Sequence, residues 1–486
     1  MNPTPVTVQI RDFLPVPAIA RAKRPVPITA VIENPGPNEA AVLLRLPSGV
    51  RIVAQGTEAI ASIGARGKQT FEWIVEATAE MHCELRLEVK SGGAIVAEAE
   101  LPLYFLPAVE VAKRDYIPEP VPAKSRVLIG AHHCPLWDSD QLVLWDNVIK
   151  HPERTPALGF YSQDNPEVSD WETLWACEHG IDFFIYCWYR TTQGGPITTR
   201  FSSAIHEGLF KSRYADKMRF TIMWENQDVG NSGVADMNDL KENLFPFWME
   251  NFFKHPSYLK IDNKPVLFVY RPDIMADDLG GVENGAEAVE WMRQACRDAG
   301  FDGLYVLGEH RYLHGGNLEK MKQMGFDSSF SYCWYIPDNP TPEEAIVKQL
   351  AIMKSIQDLG ILPQLPTVSQ AWSGWHDEGT IWKIPPPQFE TLLRKAVDYM
   401  ATLPANELGS QMLLLDNWNE WGEGHYLAPY REYGFEYLDA VRRVFTDAPE
   451  PHTDLIPEDI GMGPYDNAIR AQMQQKKISD ENAAKV

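Results

Sequence analysis

Gln411-Met412-Leu413-Leu414-Leu415-Asp416-Asn417-Trp418-Asn419-Glu420-Trp421-Gly422-Glu423-Gly424 is the stretch on which the reading of this chain turns. Four apolar residues in a row, with no polar alternation, are what a strand covered on both faces requires. Polar, aromatic and acidic residues then crowd its C-terminal end, the place where a parallel (β/α)8 barrel gathers its chemistry. Glu420 and Glu423 stand three residues apart, with Gly422 and Gly424 to let the backbone bend. Two such carboxylates can converge on one substrate as an acid and a base. A solvated acidic loop is the plainer alternative, but two tryptophans and two asparagines would be wasted on one.

Working outward, 486 residues exceed what one hydrophobic core supports, so two domains are expected, and 44% apolar residues can fill both. A formal charge of −23 argues against nucleic acid or an anionic membrane as partner, since both need basic patches. The six cysteines are scattered without a CxxC pair, which reads as buried thiols rather than a disulfide frame or a zinc site. Met1-Asn2-Pro3-Thr4-Pro5 opens no secretory leader, and no apolar run is long enough for a membrane span. The compartment expected from the sequence as given is the cytoplasm, or the periplasm or exterior if a leader has been removed. No oligomer is assigned.

Residues 1–105 read as short, largely alternating strands separated by turn residues such as Asn34-Pro35-Gly36-Pro37. Seven strands are expected: Val6–Phe13, Val26–Glu33, Ala41–Leu46, Arg51–Ala54, Thr70–Ala77, Cys83–Val89 and Ala94–Tyr104. That spacing predicts an immunoglobulin-like β-sandwich. With Trp73 as its one tryptophan, it reads as a spacer rather than a sugar-binding module. Residues 106–125 contain the Pro-rich Tyr116-Ile117-Pro118-Glu119-Pro120-Val121-Pro122 and form a stiff linker.

From 126 to 448, strands and helices alternate. Strands are expected at Val127–Ala131, Phe183–Trp188, Arg219–Trp224, Pro265–Tyr270, Leu304–Gly308, Phe326–Tyr332, Pro363–Val368 and Met412–Leu415. Helices fall between them, some with start signals such as Asn165-Pro166 and the capping box Thr341-Pro342-Glu343-Glu344. Eight such pairs make a (β/α)8 TIM barrel. An open doubly wound sheet that binds a nucleotide would need a Gly-rich turn after its first strand, where this chain has Ala131-His132-His133-Cys134-Pro135. Residues 449–486 read as an extended or partly disordered tail.

In such a barrel, the residues just past each strand meet in one bowl. The substrate-binding candidates are His133, Trp188, Tyr189, Trp224, Glu225, Arg271, Glu309, Trp334, Trp372, Asn417, Trp418, Asn419 and Trp421. Trp137 and Trp375 join the same set of strand-end tryptophans. Aromatic faces beside carboxylates and amides suit a sugar, whose CH faces stack and whose hydroxyls need hydrogen bonds. No cofactor is expected. Metal is not expected either, because adjacent strand residues such as His132 and His133 point to opposite faces and cannot share one ion. Asp277-Asp278 reads as a solvated acidic loop.

Trp418-Asn419-Glu420-Trp421-Gly422-Glu423-Gly424, with Tyr426-Leu427 and Tyr433-Gly434-Phe435-Glu436-Tyr437-Leu438 after it, resembles glycoside hydrolase family 99 and the related WbsX-like group. Trp188-Tyr189, Trp224-Glu225-Asn226, Ile261-Asp262-Asn263-Lys264-Pro265 and Tyr270-Arg271-Pro272 extend the resemblance over most of 126–446. It implies a retaining glycosidase acting on α-linked, mannose-configured sugars in an oligo- or polysaccharide. In that family the residue matching Glu420 deprotonates the sugar's own 2-hydroxyl, giving a 1,2-anhydro sugar, and the residue matching Glu423 serves as acid and then base. The resemblance thus implies a raised pKa for Glu423 relative to Glu420. His132-His133-Cys134 and Gly422 depart from the family 99 pattern. From the residues alone, direct attack by a carboxylate remains an equal reading of the pair. WbsX-like proteins are also described as glycosyltransferases, and a noncatalytic glycan binder would not need both glutamates.

Overall fold

The computed structural model describes residues 8–53, 59–227, 232–313, 315–374, 379–466 and 469–472, and only the backbone of residue 142. Val6, Ala54, Trp375 and the end of the tail from 473 lie outside the described residues.

The N-terminal segment is a two-sheet sandwich. One sheet is ordered Gln9–Pro15, Val26–Asn34, Gly67–Ala77, Val50–Ile52, and the other Ala20–Arg21, Ala94–Leu106, Met81–Ser91, Ala40–Arg45, Ile60–Ile63. Val26–Asn34 shows why: every second residue is buried, so Ile28, Ala30 and Ile32 face the opposite sheet and meet Val42, Leu85 and Leu87. Two short strands, Ala20–Arg21 and Ile60–Ile63, add to the seven expected. They are too short to show a period of two in the sequence.

The second segment carries eight parallel strands, numbered here β1 (Leu128–His133), β2 (Phe183–Arg190), β3 (Arg219–Trp224), β4 (Lys264–Val269), β5 (Tyr305–Glu309), β6 (Ser328–Phe330), β7 (Thr367–Val368) and β8 (Met412–Leu415). Each pairs with the next in sequence except β6 with β7, and β8 returns to β1, Leu128 opposite Met412. The ring closes between β6 and the run into β7, where Ser329 pairs with Gln364 and the Leu365 N–H donates to Ser329 O at 2.7 Å. This is a (β/α)8 barrel. Both predicted caps form: Asn165 Oδ1 accepts from the Glu167 N–H at 3.0 Å, and Thr341 and Glu344 make the reciprocal box.

Strand alternation splits the barrel into two cores. Phe183, Ile185, Cys187, Met223, Phe268, Phe330, Met412 and Leu414 fill the interior, while Phe184, Tyr186, Trp188, Ile222, Trp224, Leu413 and Leu415 pack under the helices. Ile19, Tyr104 and Leu106 of the sandwich belong to that outer core, so the two segments share buried apolar surface. The Pro-rich passage is not a free linker. Ile117 is buried, its carbonyl accepts from Tyr214 OH at 2.7 Å, and the Arg213 guanidinium lies over the Tyr116 ring at 3.5 Å. Asp277 and Asp278 end a helix, Pro272–Asp278, rather than forming a loop, and Asp278 accepts from Gln193 and from the Val234 N–H. No helix among the described residues is long and apolar enough to cross a membrane.

Candidate active site

Beyond β8 the chain turns back on itself: Asn419–Glu420 pairs antiparallel with His425–Tyr426, placing Glu420 opposite His425. Asn417 takes a left-handed conformation, φ 34°, to leave the strand, and Gly424 does the same at φ 75° to close the hairpin. The result holds Glu420 and Glu423 on the wall of one cavity of about 580 Å³ at the C-terminal end of the barrel.

The two carboxylates sit in different surroundings. Glu420 is 5% exposed, and Tyr332 OH donates to its Oε2 at 3.0 Å. Asn417 Nδ2 donates in turn to that hydroxyl at 2.6 Å, fixing the phenol's direction. Burial, and then the charge of Glu423 nearby, push the Glu420 carboxyl up to about 7. Glu423 is the more open, with 24% of its side chain exposed, and its Oε2 lies 3.2 Å from His425 Nε2. The other ring nitrogen of His425 lies 2.7 Å from Asp416 Oδ1, and both groups are fully buried. Burial pulls the His425 imidazole down, but Asp416 and Glu423 outweigh it and raise the ring to about 10. A charged imidazolium therefore sits between Asp416 and Glu423 and orients the Glu423 side chain. Glu420 is raised because its deeply buried carboxyl bears a large desolvation penalty.

Across the cavity stand Glu225, pushed up to about 7 chiefly by burial, and Glu309, also raised by burial. Arg311 donates to Glu309 Oε1 at 2.6 Å and to Tyr270 OH at 3.1 Å, and Arg271 holds Asp273 through two hydrogen bonds of 2.9 and 2.6 Å. A pocket lined by several carboxylates and two guanidiniums can grip many hydroxyls at fixed angles, which is what an unbranched apolar ligand does not need.

A family model described as glycosyltransferase WbsX matches residues 149–360 and 373–441, more than half of the chain. The chain belongs to the WbsX family. It is 24% identical over 336 residues to the protein WxcX of Xanthomonas campestris pv. campestris strain B100, and equally to that of strain ATCC 33913. Those matches take in 62% of this chain but 45% of WxcX, so the chain spans less than half of these relatives' length. Among solved structures, the GH99 endo-α-mannosidase from Bacteroides thetaiotaomicron is similar at 14% identity, covering 60% of this chain and 81% of that one with a TM-score of 0.42. A β-glucuronidase of Bacteroides uniformis covers 85% of this chain and 45% of its own at 10% identity and a TM-score of 0.32. The barrel rests on the strand order above, not on these distant likenesses.

In this WbsX-family chain, Tyr189, Glu225, Arg271, Glu309, Glu420 and Glu423 line the cavity. The other predicted contacts lie behind its wall. Trp188 and Trp224 point outward from β2 and β3 onto Trp248, with ring centroids 5.8 and 5.3 Å away. Trp418 stacks near Phe184 and donates to Glu172 Oε1 at 3.0 Å, and Trp421 donates to Tyr161 OH at 3.2 Å. Trp334 donates to Thr367 O at 2.8 Å, Trp137 to Asn419 O at 3.1 Å, and Trp372 packs on Tyr335. All of these tryptophans are at most 1% exposed. The aromatic bowl expected from the strand ends is thus a buried scaffold, and the cavity face carries tyrosines: Tyr189, Tyr270, Tyr312 and Tyr332. Asn419 Oδ1 accepts from the Cys134 N–H at 2.7 Å, and Asn417 acts on Tyr332. His133 faces the helix layer, 3.0 Å from Glu172 Oε2, while His132 faces the barrel interior against Phe330.

Sequence reasoning gave no role to Tyr332, Asp416 or His425. The signal for Tyr332 was parity: Phe330 points inward, so the residue two further on does too.

Gly424 gives a direct test of the hairpin. A Cβ there would stand 2.1 Å from Ser373 Oγ, and the Ser373 N–H donates to Glu423 O at 2.8 Å. Gly424→Ala is therefore expected to lower the melting temperature and to cut activity by displacing Glu423, with about 1–2 kcal/mol from the left-handed backbone alone. Gly422→Ala meets nothing within 4 Å and should melt like wild type. Equal melting temperatures for the two variants in differential scanning calorimetry would remove the hairpin's role.

Proposed function

We propose that the chain is a carbohydrate-active enzyme: a retaining glycoside hydrolase that cleaves α-linked, mannose-configured sugars, mannose or rhamnose, in oligo- or polysaccharides. The observation that carries this reading is the pair Glu420 and Glu423 on one cavity wall, one buried and held near neutrality, the other half-open and oriented by an imidazolium. A carboxyl near 7 is a strong base at neutral pH once ionised.

In the first step Glu420 takes the proton of the sugar's 2-hydroxyl, O2 attacks C1, and the C1–O bond to the leaving group breaks as Glu423 delivers a proton to the departing oxygen. In the second, Glu423 takes a proton from water, the water oxygen attacks C1, the C1–O2 bond opens, and O2 recovers its proton from Glu420. Two inversions leave the anomeric configuration retained. Tyr332 and Asn417 orient Glu420; Arg271, Glu225, Glu309 and Tyr189 are the hydroxyl-binding groups.

The internal nucleophile makes a demand on the substrate. O2 must lie trans to the leaving group, so a 2-deoxy α-glycoside should be turned over at least about 100-fold more slowly than its parent. An undiminished rate would leave direct attack by a carboxylate as the mechanism. Because the base must be ionised, kcat/KM should fall as pH drops below about 7, the value of Glu420. A profile flat from pH 5 to 8 would contradict this assignment.

The family model's description favours a second reading, in which a sugar acceptor's hydroxyl takes the place of water and the chain is a glycosyltransferase of polysaccharide synthesis. The same two carboxylates would serve it. Product sizing separates the two readings.

A further inference from the structure

Outside the cavity, one cluster of side chains has the geometry of a metal centre. His179 caps the helix Pro166–Glu178 ahead of β2, on the side of the barrel that feeds the strands rather than the side that holds the cavity. It is fully buried. Its Nδ1 donates to Trp175 O at 2.6 Å, and its Nε2 is turned inward. That nitrogen makes no hydrogen bond, although Asp454 Oδ1 lies 3.1 Å and Asp439 Oδ1 3.5 Å from it. From the other side comes His452. Its Nε2 lies 3.2 Å from Glu178 Oε2, and its Nδ1 faces the same Asp454 oxygen at 2.8 Å. The two rings stand 5.1 Å apart and nearly perpendicular, and one ligand atom from each of His179, His452 and Asp454 falls within 4.8 Å of the others.

We propose that His179 Nε2, His452 Nδ1 and Asp454 Oδ1 bind a divalent transition ion of the zinc type. Donor atoms around a tetrahedral zinc, with bonds of about 2.0–2.1 Å, stand about 3.3 Å from one another. Asp454 Oδ1 lies 3.1 Å from His179 Nε2, close to that edge, and 2.8 Å from His452 Nδ1, somewhat inside it. Each imidazole also has its outer nitrogen engaged by an oxygen, Trp175 O for one and Glu178 Oε2 for the other. That is how metal-bound histidines are held in one tautomer and orientation. Two imidazoles with a carboxylate select zinc, cobalt or nickel over calcium or magnesium, which prefer oxygen alone. The three ligands come from two places: the end of one barrel helix and the segment after residue 449. The ion is a structural clamp that fixes the C-terminal segment to the barrel, away from the reacting groups.

Cobalt(II) reports on this site independently of activity. Untagged full-length protein, stripped with chelator, incubated with cobalt and desalted, should retain about one ion per chain with the visible d–d absorption of a tetrahedral centre, and zinc should bleach it. His452→Ala, at a partly open position, and the near-isosteric Asp454→Asn should each retain at least about tenfold less. Circular dichroism shows that each variant is folded, and should one fail to fold the other carries the comparison. Zinc should also raise the melting temperature of wild type and not of the variants. Wild type that retains no cobalt, or variants that retain as much as wild type, would overturn the site and leave the three side chains as a metal-free ion-pair cluster.

Discussion

Glu420→Gln and Glu423→Gln are each expected to lose about 100-fold to 10,000-fold in kcat/KM while melting like wild type. Glutamine keeps the size of the side chain and its hydrogen bond to Tyr332 or His425, but it can neither take nor give the proton. The two losses should differ in kind. If Glu420 acts on the 2-hydroxyl, its loss is not repaired by a better leaving group. If Glu423 delivers the proton to the departing oxygen, an aryl glycoside whose leaving group needs no proton should recover much of the first step in Glu423→Gln. Wild-type-like turnover in either variant would remove that residue from the reaction, and equal recovery in both would undo the division of roles.

Replacing His425 should cost the most stability of any single change in the site. Asp416 is fully buried, and His425 provides its charged partner at 2.7 Å. Breaking a buried ion pair by removing one member typically costs about 3–5 kcal/mol, since the other charge stays behind without compensation. His425→Ala should therefore unfold at distinctly lower denaturant concentration. The pH dependence follows from the direction of the shift. The folded imidazole is raised from 6.5 to about 10, so its contribution is fully present below about pH 6.5 and is lost as pH rises to about 10. The gap in unfolding free energy between wild type and His425→Gln should narrow across that window. A gap unchanged from pH 6 to 10 would show that the ring is not charged in the fold.

The barrel was legible because six of its eight strands are largely apolar runs of four to eight residues, and burial on both faces leaves no other use for such runs. Glu420 and Glu423 were legible for a related reason: they follow the last of these runs directly. The tryptophans were misplaced by one residue of parity. Trp188 sits between Cys187 and Tyr189, which both line the cavity, and a strand end reads as one locus unless each residue is assigned a face. His425 was hidden because its role depends on a hairpin closed by Gly424, which brings residue 425 opposite 420. Nothing in the spacing of Asp416 and His425 shows that they touch. The tail read as extended, yet Ile456 and Ile460 are buried and Asp459 pairs with Arg21 of the sandwich at 2.5 Å. Contacts between residues more than 400 apart leave no local pattern.

The most direct measurement of the central claim is mass spectrometry with product sizing after incubation with α-mannans and rhamnose-containing polysaccharides, in water enriched in oxygen-18 and, in parallel, with nucleotide sugars. The account predicts shorter fragments that carry one heavy oxygen at the new reducing end, absent with Glu420→Gln and Glu423→Gln. Elongated chains formed only when a nucleotide sugar is supplied, with no labelled fragments, would contradict it.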